Sequence, residues 1–290
     1  MQSEVFWPYF AGAAITLAGV WALRGEVSSA RGPDRIAFLG PLLFAMPMAV
    51  FGAEHFASAK TIMRLVPSWM PGPLFWTYFV GVALIAGALS ISMKQKAGWS
   101  APLVALMLFL FVVLMHLPNV VSDPKDRIAW AVLFRDLSFS GGALALAGTA
   151  AHGWPTATKK IAIRTGQVFI AVTTIVFGVE QLLHPDFVPG VPLEKLTPAW
   201  IPGRILWCYL AGVVFIAAGA CLLVNRKTRL AATSLGAIVM LLVLFVYLPL
   251  WGANLFDIEN GFNYFADTLM FSGAALLLAQ AMPKETPSHV

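Results

Sequence analysis

The chain has 290 residues, of which 59% are hydrophobic and only 11% charged, and it carries a formal net charge of +5. A water-soluble domain is charged at about a quarter of its positions, so this composition excludes an ordinary soluble protein and points to lipid as the solvent. The basic residues are spread over several short segments and form no single patch, which argues against a nucleic-acid partner.

Continuous apolar runs of about 18–22 residues, the length that crosses a bilayer as a helix, recur at 5–23, 36–57, 74–92, 102–121, 130–149, 163–183, 205–223, 231–250 and 264–281. They do not alternate, and they are rich in Ala, Leu and Gly, which argues against strands. The fold expected is therefore an all-α membrane protein of nine transmembrane helices. The first run is followed by Ser28-Ser29-Ala30, which resembles a signal-cleavage site. It lacks a basic leader, carries Glu4 and is long, so a retained helix is expected. Cys208 and Cys221 lie 13 residues apart in one predicted helix, about 20 Å along its axis, too far to bridge. They read as small apolar packing residues.

The segments between the runs sort by charge. With the N-terminus outside, the inner segments hold Arg24, Arg31, Arg35, Lys94, Lys96, Lys159, Lys160, Arg164, Arg226, Lys227, Arg229 and Lys284 against Glu26, Asp34 and Glu285, a balance of +9 inside and −4 outside. The positive-inside rule then favours an outer N-terminus and an inner C-terminus.

The sequence repeats itself. PSWMPGPLFWTYFVGV (67–82) returns as PAWIPGRILWCYLAGV (198–213), identical at eight of sixteen positions. Phe51-Gly52-Ala53-Glu54 returns as Phe177-Gly178-Val179-Glu180, Leu117-Pro118 as Leu248-Pro249, and Asp136 with FSGGALALA (139–147) as Asp267 with FSGAALLLA (271–279). Duplication is the simplest cause. It divides the chain into a leading helix and inner loop (1–35), a first four-helix unit (36–150), a second (162–282) and an inner tail (283–290). Four crossings per unit make the repeats parallel rather than inverted. WPYFAGAAITLAG (7–19) resembles WTYFVGVALIAG (76–87), so the leading helix reads as an extra copy of a unit's second helix. Gly81 with Gly87, and Gly212 with Gly219, permit close helix approach. Pro67, Pro71, Gly72 and Pro73 break the chain before a fresh helix start. Trp69 and Trp76 suit a membrane boundary. The break reads either as an interfacial anchor or as a rim over an outward-facing cavity.

FGAEHF (51–56), VPSWMPG (66–72), FWTYFVGVALIAG (75–87), HLPN (116–119) and RDLSFSGGALALAG (135–148) resemble the DoxX-like family of small four-helix membrane proteins. The second unit matches more loosely: Gln181 stands where His55 would be, Tyr247 where His116 would be and Ala266 where Arg135 would be. The resemblance implies two fused four-helix bundles in the bacterial cytoplasmic membrane. Some relatives are small subunits of a thiosulfate:quinone oxidoreductase, others are linked to redox stress or to assembly of membrane partners, and many have no known activity. It carries over no catalytic residues.

Ionisable residues inside membrane spans are costly and mark places to question. Glu54, Asp136, Glu180 and Asp267 all fall near the outer ends of their helices. One reading is structural: they pair with Arg135, Lys60 or Arg64 in the first unit and with Arg204 in the second. The other is a pair of outward-facing polar pockets. In the first, Glu54 and Asp136 would face each other beneath Trp69, with His55, His116, Asn119 and Arg135 nearby. In the second, Glu180 and Asp267 would lie beneath Trp200, with Gln181, Arg204 and Tyr247. His55 and His116 could hold a metal or haem if they faced each other, but neither recurs and no ligand-spacing motif is present, so no metal is expected. His152 and His289 fall in inner segments and read as solvated.

Cys-x-x-Cys, P-loop, dinucleotide fingerprint and nucleophile elbow are all missing from the sequence, so no catalytic motif is evident. Three functions stay open. The first reading is a non-catalytic membrane protein that binds a lipid-like molecule or a membrane partner. The second is a quinone-interacting subunit of an oxidoreductase, which would need a separate soluble or membrane redox subunit. The third reading is a proton-coupled transporter, which the parallel repeat weakens. No cofactor is evident; quinone is the candidate ligand, and the lipid bilayer is the partner common to all three.

Overall fold

The computed structural model describes residues 3–284 apart from Arg31, Pro33, Pro192 and Leu193. Arg31, Glu285, His289 and the tail beyond Lys284 lie outside the described residues. Among the described residues nine long helices form: α1 (Ser3–Ser29), α2 (Gly40–Ala57), α3 (Pro73–Ser92), α4 (Ala97–Ser122), α5 (Arg127–Ala150), α6 (Thr156–Leu183), α7 (Arg204–Leu223), α8 (Thr228–Ala253) and α9 (Asn263–Ala281). Eight of them, α1 to α8, are long and apolar enough to cross a membrane. The ninth expected span is a helix too, but it is not among those eight. Asn263, Asp267 and Gln280 lower its hydropathy, and every residue from Phe265 to Ala279 is buried. A helix sheathed in protein need not look like lipid.

The helix boundaries have local causes. Gly72 and Gly203 precede α3 and α7 in the left-handed region, at φ 67° and 64°, where glycine alone is unstrained. Asp126 caps α5 by accepting from the backbone of Ile128 (2.8 Å) and Ala129 (3.1 Å), as an N-cap carboxylate should. Both third helices of the sequence repeat widen into a π turn, at Val112–His116 in α4 and Val243–Tyr247 in α8. Each lies just before a Leu-Pro pair. Pro118 and Pro249 supply no N–H and crowd the carbonyl four residues back, and a π turn relieves that conflict.

The four helices α2, α5, α6 and α9 form an inner layer. Each has an outer partner: α3 on α2, α4 on α5, α7 on α6 and α8 on α9, with α1 on another side of α2. Within the inner layer α5 packs along α6, α2 along α9, and α5 against α9. Bare backbone makes these contacts. A Cβ on Gly166 would lie 2.3 Å from the Gly141 carbonyl oxygen, and one on Gly273 would lie 2.5 Å from the Phe44 nitrogen. The α5–α9 crossing centres on Gly142, where an added Cβ would meet the Ala274 methyl at 2.6 Å. Hydroxyls tie inner helices to outer ones at matching places: Ser140 donates to the Ala105 carbonyl (2.9 Å) and Ser272 to the Gly236 carbonyl (2.7 Å).

Candidate functional site: a buried polar cluster at one end of the bundle

The ends of α2, α4, α6 and α8 and the starts of α5 and α9 lie together, so their polar residues converge at one end of the inner layer. Arg135 of α5 is the hub. Its Nε donates to Asp136 Oδ1 (2.9 Å) and its guanidinium to Asp267 Oδ2 of α9 (2.8 Å). His116 Nε2 bonds the other Asp136 oxygen at 2.9 Å, so that nitrogen carries the proton to a carboxylate that only accepts. The π turn of α4 ends at His116 and helps to turn the ring toward α5. The Asp136 and Asp267 side chains are only 8% and 6% exposed.

The chain meets its repeat out of step here. Asp257 to Phe271 spans one residue more than Asp126 to Phe139. The extra residue is absorbed in a third π turn, Ile258–Phe262, which leads into α9. In consequence Asp267 stands opposite Arg135, and Thr268 rather than Asp267 takes the place of Asp136. The sequence alignment of Asp136 with Asp267 therefore matches two residues that do different things.

Glu54 has its hydrogen-bond partner on α9 rather than in Asp136. Because α9 lies along α2, Glu54 Oε2 accepts from Asn263 Nδ2 of α9 (3.3 Å), with Asp267 and Glu259 as its acidic neighbours. Glu54 Oε1 and Asn263 Oδ1 are buried without hydrogen-bond partners. Glu180, the repeat of Glu54, instead faces the start of α5. Arg127 approaches it at 3.6 Å and His184 at 3.9 Å, and the Arg127 guanidinium lies over the Phe187 ring at 4.4 Å.

Gln181 Nε2 donates to the Gly190 carbonyl (3.1 Å). Gln181 Oε1 and the Tyr247 hydroxyl are buried without hydrogen-bond partners. His55 Nδ1 bonds the Phe51 carbonyl at 2.7 Å. Other expected members of the site lie apart from it. Trp69 and Trp200 are 67% and 59% exposed, which suits interfacial rings better than lids over the acids. Trp76 and Trp207 brace the same breaks by donating to the Pro71 and Pro202 carbonyls, each at 3.0 Å. Asn119 is exposed. Lys60 and Arg64 are exposed and make no ion pair among the described residues. Arg204 donates to the Thr197 carbonyl (3.2 Å) and lines an open recess of about 400 Å³ with Ala199, Ile201 and Leu206.

Sequence reasoning missed Arg127, Asn263, Thr268 and Gly190. Arg127 follows an N-cap Asp, a signal that a cation opens α5 beside its neighbours. The other three are ordinary in sequence and gain meaning only from what packs on them.

At the opposite end the charges join loops. Asp34 pairs with Arg229 and Lys284, and Lys94 with Glu26. No group of three or more metal-ligating side chains forms among the described residues. No protein-family model, curated protein or solved structure matches the chain, and the DoxX-like resemblance rests on the motifs quoted above.

Proposed function

We propose that the chain is a non-catalytic membrane protein of the DoxX-like kind, built from two fused four-helix units and a leading helix, which binds a lipid-like molecule or a membrane partner. Its polar cluster faces the outer side of a bacterial cytoplasmic membrane, with the N-terminus outside and the C-terminus inside. The observation that carries this reading is the pair of buried polar atoms without partners beside the ion network: Glu54 Oε1 and Asn263 Oδ1. Each such atom costs about 1–3 kcal/mol, and a bound molecule or ordered water offsets that cost. Lipid extraction of the purified protein, read by mass spectrometry, tests the reading; a stoichiometric co-purifying amphiphile supports it and an empty extract counts against it. A fluorescent C-terminal fusion should be bright and a C-terminal alkaline phosphatase fusion inactive; the reverse would overturn the orientation.

A second reading is proton coupling. Arg135 holds one positive charge against the two carboxylates Asp136 and Asp267, so a further proton on His116 or a carboxyl makes the network neutral. Proton uptake on mixing with a transported solute would favour that reading. A quinone in the extract would instead favour the quinone-interacting subunit.

A further inference from the structure

The loops after α2 and α6 differ in a way that bears on the ligand. Fifteen residues, 58–72, join α2 to α3, whereas twenty, 184–203, join α6 to α7. The longer loop closes an antiparallel bridge between Phe187 and Leu196, with Val188 N–H donating to the Lys195 carbonyl (2.8 Å). Its residues Val188, Pro189, Gly190 and Val191 are buried. Gly190 is pressed so close that an added Cβ would lie 3.1 Å from Thr268 and 3.2 Å from the Tyr247 hydroxyl, and its carbonyl accepts from Gln181. The second half thus carries a plug of its own chain among Gln181, Tyr247 and Thr268.

The counterparts of those three residues in the first half are His55, His116 and Asp136. The shorter loop has no bridge of this kind among the described residues. Its helical turns Ala59–Ile62 and Met63–Leu65 pack on α2 and α3. The first-half positions are correspondingly more open. His116 is half-buried where Tyr247 is buried, and Trp130 is 38% exposed where its counterpart Phe262 is 2%. His55 is half-buried where Gln181 is 3% exposed.

The hydrogen bonds fix what this site offers. A carbonyl and a carboxylate can only accept, so His55 Nδ1 and His116 Nε2 are the protonated nitrogens. In the neutral rings His55 Nε2 and His116 Nδ1 remain as acceptors. Resting on the reading of the chain as a binder of lipid-like molecules, we propose that an apolar amphiphile with a hydroxyl donor occupies the first half where the Val188–Val191 plug occupies the second, its O–H directed at His55 Nε2.

The test uses the full chain in lipid nanodiscs, a photoreactive diazirine-bearing long-chain alcohol, and the matching methyl ether that lacks the donor. Labelled peptides are mapped by mass spectrometry. The alcohol should label saturably in the peptides around His55 and His116, and the ether at least about tenfold more weakly, the scale of one lost hydrogen bond. His55→Phe should weaken labelling to a similar degree, while His152→Phe, at an exposed histidine of the opposite end, leaves it unchanged. His116 also holds Asp136, so the His55 variant carries the test if a His116 variant fails to fold. Equal labelling by alcohol and ether would overturn the proposal. Saturable labelling only at the Ala199–Leu206 recess would overturn it too, yet leave lipid binding standing. No saturable labelling by either probe would remove both.

Discussion

α5 and α9 carry nearly the same sequence, FSGGALALA and FSGAALLLA, and nearly the same packing. Each lies along an inner helix through glycine, and each ties an outer helix down through a serine. They part company one or two turns earlier, where α5 holds Arg135 and Asp136 and α9 holds Asp267 and Thr268. α5 starts as a plain capped helix, whereas α9 is entered through a π turn that takes up one residue. A one-residue change in backbone has turned a repeated carboxylate into the partner of an arginine on the other helix. The comparison shows that between two matching sequence segments the packing motif and the polar chemistry can differ separately.

The largest expected effect comes from breaking the unlike part. Arg135→Ala leaves Asp136 and Asp267 buried without their shared cation, and should cost about 3–5 kcal/mol in equilibrium unfolding in detergent. If the cost were below about 1 kcal/mol, the network would be ornamental. Exchange of the charges, Arg135→Asp with Asp267→Arg, should recover part of the loss, because the two side chains face each other directly.

The like part should respond symmetrically. Gly141→Ala and Gly273→Ala each push a methyl into backbone and should each cost about 1–3 kcal/mol; a large cost at only one would deny that the two crossings are alike. Asp136→Asn should cost more than Asp267→Asn, since Asp136 bonds both His116 and Arg135 while Asp267 bonds Arg135 alone. The smallest effects belong to Ser140→Ala and Ser272→Ala, at about 1 kcal/mol each for a single hydrogen bond and equal within error.

The helices were legible because proline and glycine punctuate them. The runs expected at 74–92 and 205–223 are the helices Pro73–Ser92 and Arg204–Leu223, each starting just after a Pro-Gly break. The run expected from 163 starts at Thr156 instead, since Lys159, Lys160 and Arg164 end an apolar window without ending a helix. The four carboxylates stood out because charge is costly in lipid. Arg135 and His116 stood out beside them, but Asn263 for Glu54 and Arg127 for Glu180 did not, because which helix lies beside which is decided by small-residue contacts such as Gly273 on Phe44. The π turn before α9 was equally hidden: it changes register by one residue without changing composition.

The pairing of Arg135 with Asp267 also limits what the chain can come apart into. In the α5–α9 crossing, Gly142 meets Ala274 and Arg135 meets Asp267, so each residue touches its own counterpart, as in a two-fold dimer. Two free copies of the first half, joined in the same way, would set arginine against arginine. Two copies of the second half would set aspartate against aspartate. Only the unlike combination sets a cation directly against an anion across that crossing, which favours contact between unlike halves over contact between like ones.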